Sequence, residues 1–355
     1  MADALRLTRS GDLHGATRLI QAALAGGSAD REEDMESYSD VTPVRRPLAR
    51  PGPAPTDPPQ TPQPANYGAG GRFEERDYLG GEGRLSYRLY VPSGVKDGMP
   101  LLIMLHGCTQ TPEDFALGTG MNRLADEMGF IVVYPRQTPT ANMQRCWNWF
   151  KPGDQQRDKG EPALIAAVTR SIASEYKADA GRIYVAGLSA GGATAAIMGA
   201  AYPDIYAAIG VHSGLACGAA RDMPSAFAAM RNGPPASVIP HRSTRFVPVI
   251  TFHGDKDATV AEVNSGHIVA SAARDSKTGL RSVKETGGSA GQHSFTRETS
   301  CDSDGTIWIE RWTIHGAGHA WSGGHASGSY TDARGPDASR AMIAFFAQHS
   351  LPRVC

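Results

Sequence analysis

The chain has 355 residues, and its 35 Lys and Arg against 36 Asp and Glu leave a formal charge of −1, so it carries neither the basic surplus of a nucleic-acid binder nor the basic face of a membrane-surface protein. With 41% hydrophobic and 20% charged residues it has the makeup of a globular chain with a core, which excludes disorder throughout. Glycine and proline, 41 and 24 residues, exceed the roughly 12% that they average together, so turns are used heavily somewhere.

In residues 1–30, Leu13, Ala16, Ile20, Ala23 and Leu24 recur at helical spacing and Asp12 is placed to cap, which predicts a short amphipathic helical segment. It is too short to fold a core alone, so it packs on the rest of the chain or a twin, or docks on a polymer granule or a partner. Charges scattered through it interrupt the apolar core that a signal peptide requires. A cytoplasmic location is therefore expected. No stretch approaches the roughly 20 apolar residues that cross a bilayer. Residues 31–70 hold nine prolines between Pro43 and Pro64 with no apolar period, and read as a flexible linker. Five dispersed cysteines without a CxxC pair give no disulfide scaffold and point to a reducing compartment.

Residues 71–355 alternate strands with helices. LSYRLYVP alternates like a half-exposed strand, whereas PLLIMLHG, GFIVVYP, RIYVAG, AAIGVHS and VPVITFHG are continuous apolar runs, the mark of strands buried on both faces. Helical stretches are expected near residues 114–128, 161–176, 190–201, 263–273 and 336–349. The order predicts an α/β domain with a mostly parallel central sheet and right-handed crossovers. HSFTRETS and TIWIERWTI flank SCDSDG and read as a hairpin or an added pair of strands at one edge. Residues 219–246 form an insertion expected to shape the pocket.

GLSAG, with Ser189 at its centre, lies between the strand RIYVAG and a helix of small residues. That is the context of a nucleophile elbow, in which a sharp turn lifts the serine hydroxyl off the sheet. Such a fold supplies the acid and then the histidine later in the chain. HGDKD follows a buried run and offers Asp255 and Asp257, which spacing alone does not separate. HGAGHAWSGG offers His315 at a strand end and His319 deeper in a glycine-rich loop, where a base is better placed. LHGCTQ closes the first buried strand, so the amide of Cys108, with that of Ala190 after the nucleophile, is the candidate oxyanion hole.

LHGCTQ, CWNWF, GLSAGG, HSGLACGAA, HGDKD and GHAWSGG, in this order, resemble the poly(3-hydroxybutyrate) depolymerase family of esterases, relatives of feruloyl and acetylxylan esterases. The resemblance spans residues 85 to about 349. It implies an α/β-hydrolase fold with helices on both faces of the sheet, a triad of Ser189, Asp257 and His319, and hydrolysis of carboxylic esters with no cofactor. It assigns the acid to Asp257. Hydroxybutyrate polymer or oligomer is the leading substrate, and feruloyl or acetyl esters of plant polysaccharide the alternative. Secreted members of the family make an extracellular location the alternative to a cytoplasmic one.

Trp147 and Trp149 within CWNWF, and Trp321 within GHAWSGG, are candidate walls for the acyl or alcohol pocket, with packing as the competing role. Cys108 with Cys146, and Cys217 with Cys301, are candidate disulfides. Two other classes compete with a serine esterase. A metal hydrolase using His315, His319 and His325 is disfavoured because glycines at 316, 318, 323 and 324 preclude the helix that an i, i+4 pair needs. A non-catalytic binding protein has no use for a full triad.

Overall fold

The computed structural model describes residues 70–235, 245–276 and 279–352, all within the unit Thr61–Cys355. The helix expected in residues 1–30 and nearly all of the linker lie outside them, as do residues 236–244 of the insertion. Ten strands form one sheet: β1 (Arg72–Gly80), β2 (Gly83–Val91), β3 (Leu101–Leu105), β4 (Ile131–Pro135), β5 (Ile183–Leu188), β6 (Ala208–His212), β7 (Val249–Gly254), β8 (Arg281–Gly287), β9 (Phe295–Cys301) and β10 (Ile307–Ile314). Their order is β1-β2-β4-β3-β5-β6-β7-β10-β9-β8. From β4 to β10 neighbours are parallel, and antiparallel pairs close both sides. A two-residue pair, β11 (Trp321–Ser322) and β12 (Thr331–Asp332), lies beyond β10 in the chain.

Seven helices are described: α1 (Pro112–Thr119), α2 (Met121–Met128), α3 (Gly160–Glu175), α4 (Ala190–Ala201), α5 (Met223–Asn232), α6 (Val263–Asp275) and α7 (Ala338–Phe346). The central strands show why helices are needed on both sides. In β3, Leu101, Ile103 and Leu105 pack with α3 and α4, while Leu102 and Met104 join Phe115, Leu124 and Phe346 from α1, α2 and α7. Successive side chains point to opposite faces of a strand, so a run apolar at every position requires two covered faces. Each fully buried Leu or Ile contributes about 1.5–3 kcal/mol.

The helix expected over 114–128 is two helices. Gly120, at φ 61°, ends α1 in the left-handed conformation and opens α2 in the same step. The strand TIWIERWTI does pair antiparallel with β9 as expected, but as β10 it also pairs parallel with β7 and so belongs to the central sheet. Two strands were not legible. β1 and β8 are outermost and mostly exposed, and their charged residues conceal the alternation. Polar edges of this kind discourage pairing with a second chain.

Candidate active site

The turn from β5 into α4 holds Ser189 at φ 56°, ψ −119°, a region that side-chain-bearing residues rarely occupy. The flanking backbone permits it only because Cβ atoms are missing. A Cβ on Gly191 would lie 2.0 Å from the Leu105 carbonyl oxygen, and one on Gly187 would lie 2.4 Å from the Gly191 backbone. The elbow is thereby pressed against the end of β3. The Ser189 amide donates to the His212 carbonyl at 2.9 Å, which ties the turn to β6. Ser189 Oγ has no hydrogen bond among the described residues.

Asp257 follows β7, and its side chain is fully buried. Oδ1 accepts from the amides of Thr259 and Val260, each at 2.9 Å, and Oδ2 accepts from His319 Nδ1 at 2.7 Å. His253 Nε2 lies 3.5 Å from the same Oδ2. Burial alone would raise the carboxyl, but the hydrogen bonds from His253 and His319, with the imidazole charge of His319, outweigh it and hold Asp257 far below the usual carboxylate range. An ionised acid on Nδ1 fixes the tautomer that leaves Nε2 of His319 as a base. His319 sits in the loop after β10. Lys256 donates to the Ala317 carbonyl at 3.0 Å, so this loop is bound back to the acid's own turn.

The competing candidates, Asp255 and His315, pair with one another. His315 Nδ1 meets Asp255 Oδ2 at 3.0 Å, and its Nε2 meets Thr296 Oγ1 at 2.9 Å. Both ring nitrogens are occupied, and the pair is 41% and 32% exposed against 12% and 0% for His319 and Asp257. The buried pair is the one suited to catalysis, because low dielectric strengthens its electrostatics. Among the described residues no group of three or more His, Cys, Asp or Glu is arranged to hold a metal ion.

Cys108 lies in the loop after β3, three residues past its end, and Ala190 directly follows Ser189. Among the described residues neither amide donates a hydrogen bond, which leaves both as available donors. The loop of Cys108 is anchored behind them. His106 is buried and its imidazole is pushed down to about 4 by desolvation. As a neutral ring it accepts from the Gln137 amide at 3.1 Å. Cys108 is disulfide-bonded to Cys146, as one of the two expected pairings has it. The other pairing is not formed: Cys217 and Cys301 are free. Cys217 follows β6 and Cys301 ends β9, three strands away in the sheet order, or roughly 14 Å at the usual strand spacing. Cys217 faces a cavity of about 60 Å³ beneath α4 and α6, and burial pushes its thiol up to about 12, far from thiolate chemistry.

The tryptophans correct the expectation made for them. Trp147 and Trp321 are each 1% exposed. Trp147 Nε1 donates to the His106 carbonyl at 3.1 Å, and Trp321 Nε1 to Ser339 Oγ at 3.0 Å, with its ring stacked on His212. Trp149 is buried too, edge-on to Phe150. Their faces are used in packing, so they support the site's loops and do not line an open wall. His212 was not singled out from the sequence. Its carbonyl holds the elbow and its Nε2 accepts from the Ser322 amide at 2.9 Å, and burial keeps the ring neutral. Only its place at the end of the apolar run AAIGVHS hints at it. The insertion supplies α5, whose Met230 carbonyl accepts from Ala261 at 2.7 Å beside the acid's loop.

The family described as Esterase PHB depolymerase matches residues 85–288. Poly(3-hydroxyalkanoate) depolymerase C of Paucimonas lemoignei is 33% identical over 247 residues, which cover 67% of this chain and 58% of that protein. Feruloyl esterase B of Neurospora crassa is 36% identical over 128 residues, 36% of this chain and 43% of that protein. The chain thus spans about half the length of these relatives. The solved acetyl xylan esterase from Aspergillus awamori superposes with a TM-score of 0.60 at 19% identity, covering 78% of this chain and 99% of that one. At that identity the likeness is one of fold, and the fold is the α/β-hydrolase fold.

Proposed function

The chain belongs to the esterase family of PHB depolymerases, and on that premise we propose that it is a serine esterase hydrolysing carboxylic esters through an acyl-enzyme. The observation that carries the reading is the 2.7 Å bond from His319 to a fully buried, ionised Asp257 on the strand-end edge that also presents Ser189. Ser189 Oγ attacks the ester carbonyl as His319 Nε2 takes its proton. Asp257 stabilises the imidazolium, and His319 returns the proton to the leaving alcohol. Water then repeats the sequence on the acyl-enzyme. The amides of Cys108 and Ala190 receive the oxyanion, and each such donor is worth on the order of 100- to 1,000-fold in rate. The bond between Ser189 and His319 is expected to close with substrate, as such contacts are commonly loose in the free enzyme.

Hydroxyalkanoate polyester or its oligomers are the substrate this reading favours, supported by the depolymerase relative that matches two thirds of the chain. Feruloyl or acetyl esters of plant polysaccharide are the second reading, supported by the feruloyl esterase match around the same motifs. The Cys108–Cys146 disulfide favours an oxidising compartment and so the extracellular alternative over a cytoplasmic one. No described helix is long and apolar enough to cross a membrane. Contact with a granule or a second copy through residues 1–30 is part of the proposal.

The test is a panel of hydroxybutyrate oligomers, amorphous polymer, methyl ferulate and acetylated xylan, run with the wild type and Ser189→Ala. Oligomer hydrolysis that disappears in Ser189→Ala is expected. Full activity in Ser189→Ala would overturn the reading, and ferulate or acetyl release above oligomer cleavage would move the substrate to the second one.

A further inference from the structure

Glu161 is a part-buried carboxyl that the chemistry above does not use. It stands in the first turn of α3, behind the loop that carries Cys146. One of its oxygens accepts from the Asn148 amide at 2.7 Å and the other from Asn148 Nδ2 at 2.6 Å and from Gln137 Nε2. No cation pairs with it among the described residues, and the neighbouring charge is the like-signed Asp154, which accepts from its amide at 2.8 Å. A carboxylate held in this way, by three N–H donors and no counter-charge, is costly to bury, and it acts on one loop.

From these donors two routes run to the oxyanion strand end. Asn148 Oδ1 accepts from Asn142 Nδ2 at 3.2 Å, and Asn142 Oδ1 accepts from the amides of Gln144 and Cys146 at 3.0 and 3.4 Å. Gln144 in turn accepts from the Thr109 amide at 2.6 Å, and Cys146 is bonded to Cys108. The second route is Gln137, whose Nε2 also donates to the Cys146 carbonyl at 3.1 Å and whose amide meets His106 Nε2 at 3.1 Å. Residues 106, 108 and 109 are thus all held by a loop whose own shape is set at Glu161.

We propose that Glu161 is a positioning residue for the esterase reaction, fixing through Asn148 and Gln137 the loop that aims the Cys108 amide at the oxyanion. The proposal rests on the reading of Cys108 as an oxyanion donor. Burial, with repulsion from Asp154, pushes the carboxyl up to about 7 against the pull of its Asn148 and Gln137 bonds. Ionised, it accepts all three donors, whereas protonation turns an O–H against N–H groups and loosens the loop.

Glu161→Gln keeps the shape, leaves one carbonyl acceptor and turns an amide toward the Asn148 N–H. With p-nitrophenyl butyrate as probe, kcat is expected to fall about 10- to 100-fold while KM stays within about twofold, since a donor displaced by about 1 Å loses transition-state stabilisation and little ground-state binding. Inhibition by phenylboronic acid, which forms a tetrahedral adduct on the serine, should weaken in step with kcat. A merely structural residue would lower the melting temperature and leave the kcat of the folded fraction intact. Asn148→Ala, which removes the intermediary side chain and leaves the carboxyl, should move kcat in the same direction and decides the matter should Glu161→Gln not fold. A folded variant with kcat within twofold of wild type overturns the proposal alone. Full activity in Ser189→Ala, or none in the wild type, overturns the esterase reading and the proposal with it.

Discussion

Two neighbouring aspartates in the turn after β7 meet two histidines four residues apart, and burial separates their roles. Asp257→Asn should lower kcat about 10,000-fold, because an amide at that position stabilises the wrong imidazole tautomer. Asp255→Asn should cost less than tenfold, since His315 already spends both nitrogens on Asp255 and Thr296. Steady-state kinetics on a soluble ester distinguishes them, and the reverse ranking would exchange the two pairs. Glu161 makes a prediction of the opposite electrostatic sign. Its carboxyl is raised from an ordinary 4.5 to about 7, so between those values the folded state binds the extra proton and stability falls as pH rises. The stability of wild type relative to Glu161→Gln should therefore drop by roughly 3 kcal/mol between pH 4 and pH 8, measured by denaturant melts. Asp257, whose carboxyl is depressed, contributes stability that is lost only as pH falls below the usual carboxylate range. At this scale the sequence offers Ser189 and His319 as candidates through their glycine-rich turns. Spacing leaves the acid open between Asp255 and Asp257, because choosing between them needs burial, which spacing does not encode; the family resemblance is what assigns it to Asp257.

The central strands and their helices were legible because buried parallel strands are apolar at every position and return at regular intervals. What escaped was set by neighbours. β1 and β8 are strands by virtue of a single partner each, and the break between α1 and α2 depends on one glycine at φ 61°. The tryptophans were misplaced for a related reason: a large aromatic beside a motif is visible in the letters, and which way its ring packs is not. The elbow is where element geometry is most demanding. Gly191→Ala places a Cβ 2.0 Å from the Leu105 carbonyl oxygen, a backbone atom that cannot rotate away. A loss of about 3 kcal/mol or more is expected, with activity falling further than stability because the shift lands on Ser189. A thermal melt and a kcat from the same preparation check it, and a variant as stable and active as wild type would contradict the packing of the elbow and the start of α4 against the end of β3.

For the whole molecule, the described residues carry a complete hydrolase sheet and every group assigned to the chemistry. Removing residues 1–69 should leave hydrolysis of soluble p-nitrophenyl butyrate within about twofold, while adsorption to amorphous polyester granules falls, and a matching loss of both would place residues 1–69 in the reaction itself. Covalent labelling of the native protein with diethyl p-nitrophenyl phosphate, read by intact and peptide mass, asks directly whether Ser189 is the nucleophile. One diethylphosphoryl group on Ser189 is expected, with loss of ester hydrolysis in proportion to its occupancy and no label in His319→Ala. A label on another residue, or undiminished hydrolysis by fully labelled protein, would contradict that role for Ser189.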